Sequence, residues 1–139
     1  VLTDDHTRFK FIYFLRARSE APDRVRRFIA SFNALANLRS NAVVRVVSTI
    51  HTDDAGEFLS RQFQELLDES LVSQTTCPPH VHQLNGVAER SILAVCSLAR
   101  SYFASSAVSV TFWPFAFQMA VDVLNRATAL RRMIATTGR

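Results

Sequence analysis

Residues 43–59 read VVRVVSTIHTDDAGEFL. The first eight, Val43 to Ile50, are mostly β-branched, and this near-continuous apolar run predicts a strand buried on both faces. Asp54 and Glu57 have the spacing of a helix N-cap and its reciprocal glutamate, and apolar residues then recur at helical spacing. Asp53 is therefore expected at the end of a strand, directly before a helix.

The segment before this stretch predicts a hairpin and a helix. Val1–Asp5 and Phe9–Leu15 are apolar and aromatic runs separated by a polar turn, as is typical of two antiparallel strands. From Ser19 onward apolar residues recur at helical spacing, which predicts an amphipathic helix. Its apolar stripe consists of Val25, Phe28, Ile29, Phe32, Leu35 and Ala36.

The segment after it predicts a strand and two helices. Leu71–Thr76 has the composition of a short strand, and two prolines keep the following loop, residues 77–86, out of regular structure. Apolar positions from Ala88 to Tyr102 mark a long helix. A last helix, starting at Thr111 with Pro114 in its first turn, is expected to be largely buried. This order predicts an α/β fold in which helices flank a mixed sheet.

The composition is that of a globular protein whose charge permits a nucleic-acid partner. Hydrophobic residues make up 48% of the chain and charged residues 20%, a balance that excludes a disordered tail. Lys and Arg exceed Asp and Glu by 16 to 12. Two cysteines are too few for a disulfide framework, and no apolar run approaches the roughly 18 residues of a membrane span. We expect a soluble, intracellular domain, and the start at Val1 suggests a fragment or processed product.

Asp53 and Glu89 are the residues that could carry metal-dependent phosphoryl transfer. They are separated by 35 residues and are expected on different elements, a strand end and a helix start. Such chemistry uses carboxylates that converge on two Mg²⁺ ions about 3.5–4 Å apart. Taken singly, each is an ordinary acidic residue near a helix N-terminus, where the helix dipole favours negative charge.

The strings around these two acids carry a family resemblance. HTDDAGEF at residues 51–58 and NGVAER at residues 85–90 resemble the D,D(35)E core of retroviral-type integrases, in particular those of copia-type retrotransposons. The resemblance extends from about Leu2 to Leu130. Further matching strings are DDHTR at 4–8, FLRARSE at 14–20, LAR at 98–100, WP at 113–114 and LNR at 124–126.

The resemblance implies a ribonuclease-H-like fold and a two-metal active site. By this likeness Asp53 and Glu89 are the second and third catalytic acids and ligate Mg²⁺, or Mn²⁺, two ions occupying the complete site. The first acid lies on an opening strand that would precede Val1. Residues 1–130 would then be an N-terminally truncated integrase core, and residues 131–139 a tail or the start of a linker.

The implied activity is DNA 3′-end processing and strand transfer in the complete parent protein, so DNA integration is the expected function. The implied partners are double-stranded DNA, both element ends and target, and further copies of the chain, acting in the nucleus. Gln83, Asn85 and Arg90 are the expected DNA contacts. Without the first acid this fragment is expected to be inactive, so whether the chain is an enzyme depends on what precedes it.

Departures from the family pattern keep a second function open. Asp54 and Ala55 stand where the family has Asn-Gly, and His82 stands where it has proline. The added carboxylate places negative charge beside the metal site, and the lost glycine removes backbone freedom. The alternative is a non-catalytic DNA-binding or assembly module, or the relic of a degenerate element.

Three other clusters have both a functional and a structural interpretation. Cys77, His80 and His82 could bind zinc, but their spacing fits no common structural zinc pattern. Asp4 and Asp5 could replace the first acid, but aspartates of this kind usually shape a turn. The aromatic residues near the last helix could stack on bases, although their helical spacing predicts core positions. They are Phe112, Trp113, Phe115 and Phe117.

Overall fold

The computed structural model describes residues 1–40, 46–76, 86–106 and 109–137. Its strands are β1 (Leu2–Thr3), β2 (Lys10–Phe11), β3 (Thr49–Thr52) and β4 (Ser73–Thr76). Its helices are α1 (Ala21–Ser40), α2 (Gly56–Leu59), α3 (Arg61–Ser70), α4 (Gly86–Ser105) and α5 (Trp113–Thr137), with 3₁₀ turns at Arg18–Glu20 and Val110–Phe112. The mixed α/β class and the order of elements agree with the sequence prediction.

The chain divides into two compact units. A terminal unit comprises residues 1–14 and 86–139, and a central unit comprises residues 15–85. Each contains a two-stranded sheet: β1 pairs with β2 antiparallel, and β3 pairs with β4 in parallel. The boundary predicted at residue 130 stays a prediction, and α5 continues across it to Thr137.

The central unit is held together by apolar side chains from α1 and α3. Val25 and Ile29 of the predicted α1 stripe are buried, whereas Leu35 of the same stripe is exposed. Each fully buried side chain of this size contributes about 1.5–3 kcal/mol relative to exposure. The buried cluster is Val25, Ile29, Phe63, Leu66, Leu67 and Val72, with Phe28, Val47, Ile50 and Phe58 packed against it.

Strand β3 begins later than predicted and buries one face only. Within the predicted strand, residues 43–45 lie outside the described ranges, and the strand itself starts at Thr49. Ile50 is half-buried and Thr52 buried, while Thr49 and His51 are exposed. The prediction of burial on both faces was wrong, because in the central unit this short sheet alternates between a covered and an exposed side.

The helix after Asp53 is broken in two, and the predicted capping box is absent. Ala55, not Asp54, is the N-cap of α2, and no side chain caps it. After four residues the backbone becomes extended at Ser60, whose hydroxyl accepts a hydrogen bond from Phe63 N at 3.2 Å and caps α3. At the other end of α3, Leu71 adopts a left-handed conformation with φ of 54°.

In the terminal unit, α4 packs against α5 through small side chains. Val95 and Ala99 of α4 meet Ala120 and Val121 of α5 in a buried cluster. Larger groups surround it, namely Ile12, Leu98, Tyr102, Ala116, Phe117 and Leu124. The predicted hairpin is confirmed, although each of its strands is only two residues long.

Asn125 of α5 joins the hairpin to the helices. Its side-chain Nδ2 donates to Lys10 O and its Oδ1 accepts from Lys10 N, both at 2.8 Å. Both residues are buried. Burial, and then the nearby charge of Arg8, lower the pKa of the Lys10 ammonium, which donates to Arg8 O.

Helix α5 is less buried than its apolar sequence predicts. Phe115 is 72% exposed and Met119 55%, and Phe112 in the preceding 3₁₀ turn is 53% exposed. The core interpretation was therefore wrong for Phe112, Trp113 and Phe115, whereas Phe117 packs against the α4–α5 cluster. Trp113 is 45% exposed, with its ring edge-on to Phe14 and Phe117. Within the described ranges, no helix is long and apolar enough to cross a membrane.

Replacing Asn125 tests its role in joining the hairpin to α5. We expect Asn125→Leu to lower the free energy of unfolding by roughly 2–4 kcal/mol, because the buried N–H and C=O of Lys10 lose their partners. Urea unfolding measures the change. Gln118→Leu, at an exposed position of the same helix, is the control, and equal stability of the two variants would contradict this role.

Two substitutions distinguish the observed cap from the predicted one. Ser60→Ala removes the acceptor for Phe63 N and should destabilise the chain by about 1 kcal/mol. Asp54→Ala should change stability by less than about 0.5 kcal/mol, because this exposed residue caps no helix. Thermal unfolding compares the variants, and a larger loss for Asp54→Ala would restore the capping box.

Candidate active-site residues

Asp53 lies where the sequence predicted it, between a strand and a helix. Strand β3 ends at Thr52 and α2 begins at Gly56. The carboxylate of Asp53 is exposed, and its Oδ1 accepts a long hydrogen bond of 3.4 Å from Ala55 N. This contact is the local turn that an aspartate commonly makes two residues ahead. The carboxylate oxygens of Asp53 therefore face solvent, where they could bind a cation.

The surroundings of Asp53 are polar and carry negative charge. Asp54 is exposed beside it, and His51 is exposed on the side of β3 opposite to Ile50 and Thr52. Among the ion pairs that the structure describes, none includes Asp53 or Asp54. Exposed carboxylates of this kind offer the hard oxygen ligands that Mg²⁺ takes in proteins.

Side chains that the sequence did not single out hold the segment carrying Asp53. Gln74 lies in β4 opposite Ile50, and its Nε2 donates to Thr52 Oγ1 at 2.7 Å and to Phe58 O at 3.1 Å. Gln64 of α3 also donates to Phe58 O, at 3.2 Å. A polar residue in a short strand usually indicates a solvent-facing position, so no sequence signal marked Gln74.

Glu89 lies in the first turn of α4, as predicted, and is exposed. Arg90 is also exposed, and its guanidinium lies beside Gly86, with Nη1 3.5 Å from the position that a Cβ on Gly86 would take. The Arg90 guanidinium therefore lies near the first residue of α4. Gln83 and Asn85, the other predicted DNA contacts, lie outside the described residues.

Asp53 and Glu89 belong to different units, so their pairing stays a prediction. Hard oxygen ligands on exposed carboxylates fit Mg²⁺ or Mn²⁺, which take carboxylates together with water and substrate phosphates. Across the described part of the chain, no group of three His, Cys, Asp or Glu side chains is placed to hold a metal. Cys77, His80 and His82, the alternative zinc ligands, lie outside that part.

Asp4 and Asp5 shape the turn of the hairpin. Asp4 Oδ2 accepts hydrogen bonds from the backbone N of Thr7, at 2.6 Å, and from its hydroxyl. Asp5 pairs with Arg8, which has a left-handed φ of 60°. The structural interpretation of these two aspartates as turn residues is confirmed.

Comparison with known proteins relates the chain to mobile elements. No family model matches it. It is 28% identical over 126 residues to the retrovirus-related Pol polyprotein from transposon RE2 of Arabidopsis thaliana, and 27% identical to that from transposon RE1. It is also 28% identical over 127 residues to the Pol polyprotein from transposon TNT 1-94 of Nicotiana tabacum. The chain is similar to retrotransposon Pol polyproteins.

The similarity to Pol polyproteins extends along nearly all of the chain but covers little of each relative. Each alignment spans 91% of these 139 residues and 8% or 9% of the relative. The chain thus corresponds to a small part of a long polyprotein. The retrotransposon-related character that the motif strings predicted is confirmed at this level.

Proposed function

We propose that this chain is part of the catalytic core of a retrotransposon integrase, with a ribonuclease-H-like fold in the complete protein. The observation that carries the proposal is the exposed Asp53 carboxylate at the end of β3, within a string that resembles the integrase pattern. Similarity to retrotransposon Pol polyproteins along 91% of the chain supports it. The reaction would be 3′-end processing and strand transfer of the element's DNA.

In this function Asp53 and Glu89 would hold Mg²⁺ or Mn²⁺ through their carboxylate oxygens. The ions, when bound, would activate the attacking oxygen and neutralise charge at the phosphate that is cut or joined. Arg90, exposed one residue after Glu89, would contact a DNA phosphate, and Gln83 and Asn85 would complete the contact. These groups place the DNA backbone at the carboxylates, which contributes to the rate through orientation.

The proposed integrase uses three acids, two of which are present in these 139 residues. We propose that catalysis needs all three, so Asp53 and Glu89 alone do not support it. The proposed partners are the DNA ends of the element, target DNA in the nucleus, and further copies of the chain. Its net charge of +4 is compatible with contact to the DNA backbone.

The function is tested in the full-length natural protein. Asp53→Asn and Glu89→Gln should each reduce Mg²⁺-dependent strand transfer by more than roughly a hundredfold, since even an outer-shell partner of a metal ligand is commonly worth 10–100-fold. DNA binding should remain within about threefold of the parent, because phosphate contacts dominate affinity. Assays are joining of labelled DNA ends and a DNA-binding titration.

Asp54→Asn is the matched control, an exposed aspartate one residue from Asp53. It should retain full joining activity, and it restores the residue found in the family pattern. If both carboxylates act on the same ions, the double variant should be no less active than the worse single variant. Undiminished joining in either single variant would rule out the assignment.

The second candidate function is a non-catalytic DNA-binding or assembly module. Asp54 and Ala55, in place of the family's Asn-Gly, favour it, because added negative charge and a stiffer backbone alter the segment after Asp53. DNA binding by the natural protein with no metal-dependent joining would support this alternative. The same joining assay therefore separates the two functions.

A further inference from the structure

The seven residues from Thr52 to Phe58 carry Asp53 and have few backbone hydrogen bonds of their own. Strand β3 makes its last pair at Thr52, opposite Thr76. Beyond it, the hydrogen bonds described within the segment are Phe58 N to Ala55 O at 2.9 Å and Ala55 N to Asp53 Oδ1 at 3.4 Å. The two residues that follow add Leu59 N to Ala55 O at 3.3 Å and Ser60 Oγ to Glu57 O at 2.8 Å. The segment therefore depends on other elements to fix its conformation.

One side-chain amide, that of Gln74, holds both ends of this segment. Its Nε2 donates to Thr52 Oγ1 at the beginning and to the carbonyl oxygen of Phe58 at the end. Gln74 is half-buried and Thr52 is buried, so these hydrogen bonds are partly shielded from water. An amide nitrogen has two hydrogens, and both have an acceptor here.

A second glutamine strengthens the same contact. Gln64 of α3 donates to Phe58 O and also to Gln74 Oε1. Phe58 belongs to the last turn of α2, where carbonyl groups lack partners within the helix. The side-chain amides of Gln64 and Gln74 both donate to the Phe58 carbonyl. The hydrogen bond from Gln64 to Gln74 Oε1 orients the Gln74 amide so that its Nε2 faces Thr52.

We infer that Gln74 is a positioning residue for Asp53, acting through Thr52 and Phe58, with Gln64 orienting its amide. The inference rests on the proposed function, because Asp53 needs a fixed position only if it binds a metal. Metal ligands are commonly oriented by outer hydrogen bonds, and loss of such a bond typically lowers metal affinity 10–100-fold. Here Gln74 acts on the residues that flank Asp53 rather than on its carboxylate. The described hydrogen bonds of Gln74 go to Thr52 and Phe58, and the one of the Asp53 carboxylate goes to Ala55 N.

The first test measures the segment without any catalysis. Gln74→Met keeps the length of the side chain and removes both donors and the acceptor. In the 139-residue chain, hydrogen exchange at the Phe58 and Leu59 amides should become roughly tenfold faster, since hydrogen bonds of this kind contribute about 0.5–1.5 kcal/mol each. Gln62→Met, at an exposed position of α3, is the matched control and should leave exchange unchanged.

The second test measures metal use in the natural protein. For Gln74→Met the Mn²⁺ concentration giving half-maximal strand transfer should rise roughly tenfold, while the rate at saturating Mn²⁺ stays within about twofold. A merely structural role would lower the amount of active protein and leave the half-maximal concentration unchanged. Gln62→Met should match the parent in both quantities.

The outcomes separate this inference from the proposed function. Unchanged exchange at Phe58 and Leu59, or an unchanged Mn²⁺ requirement, overturns the role of Gln74 even where Asp53→Asn abolishes joining. Full joining by Asp53→Asn instead refutes the proposed function, and with it the metal-related part of the inference. The exchange result still decides whether Gln74 holds the segment from Thr52 to Phe58. If Gln74→Met fails to fold, Gln64→Met replaces it, with smaller shifts expected because the bond to Thr52 remains.

Discussion

Buried polar groups next to very short strands need hydrogen-bond partners from outside the sheet, and in both units a side-chain amide supplies them. Asn125 satisfies the N–H and C=O of Lys10, and Gln74 satisfies Thr52 and the last turn of α2. An unpaired buried group of this kind costs about 1–3 kcal/mol. Each sheet that the structure describes has two strands, so it offers few hydrogen-bond partners to these groups. The two amides supply the partners and thereby connect each sheet to a helix.

The order of elements was predictable because helices, strands and turns each leave a local pattern in the sequence. Apolar spacing located α1, α3 and α4, and the turn residues Asp4 and Asp5 located the hairpin. The sequence also placed Asp53 correctly, since a β-branched run followed by polar residues and a helical stripe leaves one position for the junction. Each of these features depends on residues close together in the sequence, so residue spacing and turn propensity were sufficient to predict it.

Features that depend on packing were not predictable. The apolar stripe of α5 continues around most of the helix, so its sequence did not indicate that Val121 and Asn125 face inward while Phe115 faces solvent. The break at Ser60 was missed because Asp54 and Glu57 offered an alternative cap of equally good spacing. Gln74 was missed for a related reason: its importance comes from partners at residues 52 and 58, which only the folded chain brings to it.

The junction between α3 and β4 has a cost that the rest of the central unit must offset. Leu71 adopts a left-handed backbone conformation, which costs an L-residue roughly 1–2 kcal/mol, yet its side chain is largely exposed and contributes little in return. Relative to the 5–15 kcal/mol that typically stabilises a folded domain, this is a noticeable fraction. A glycine at this junction would relieve the strain, because glycine adopts positive φ without a steric penalty.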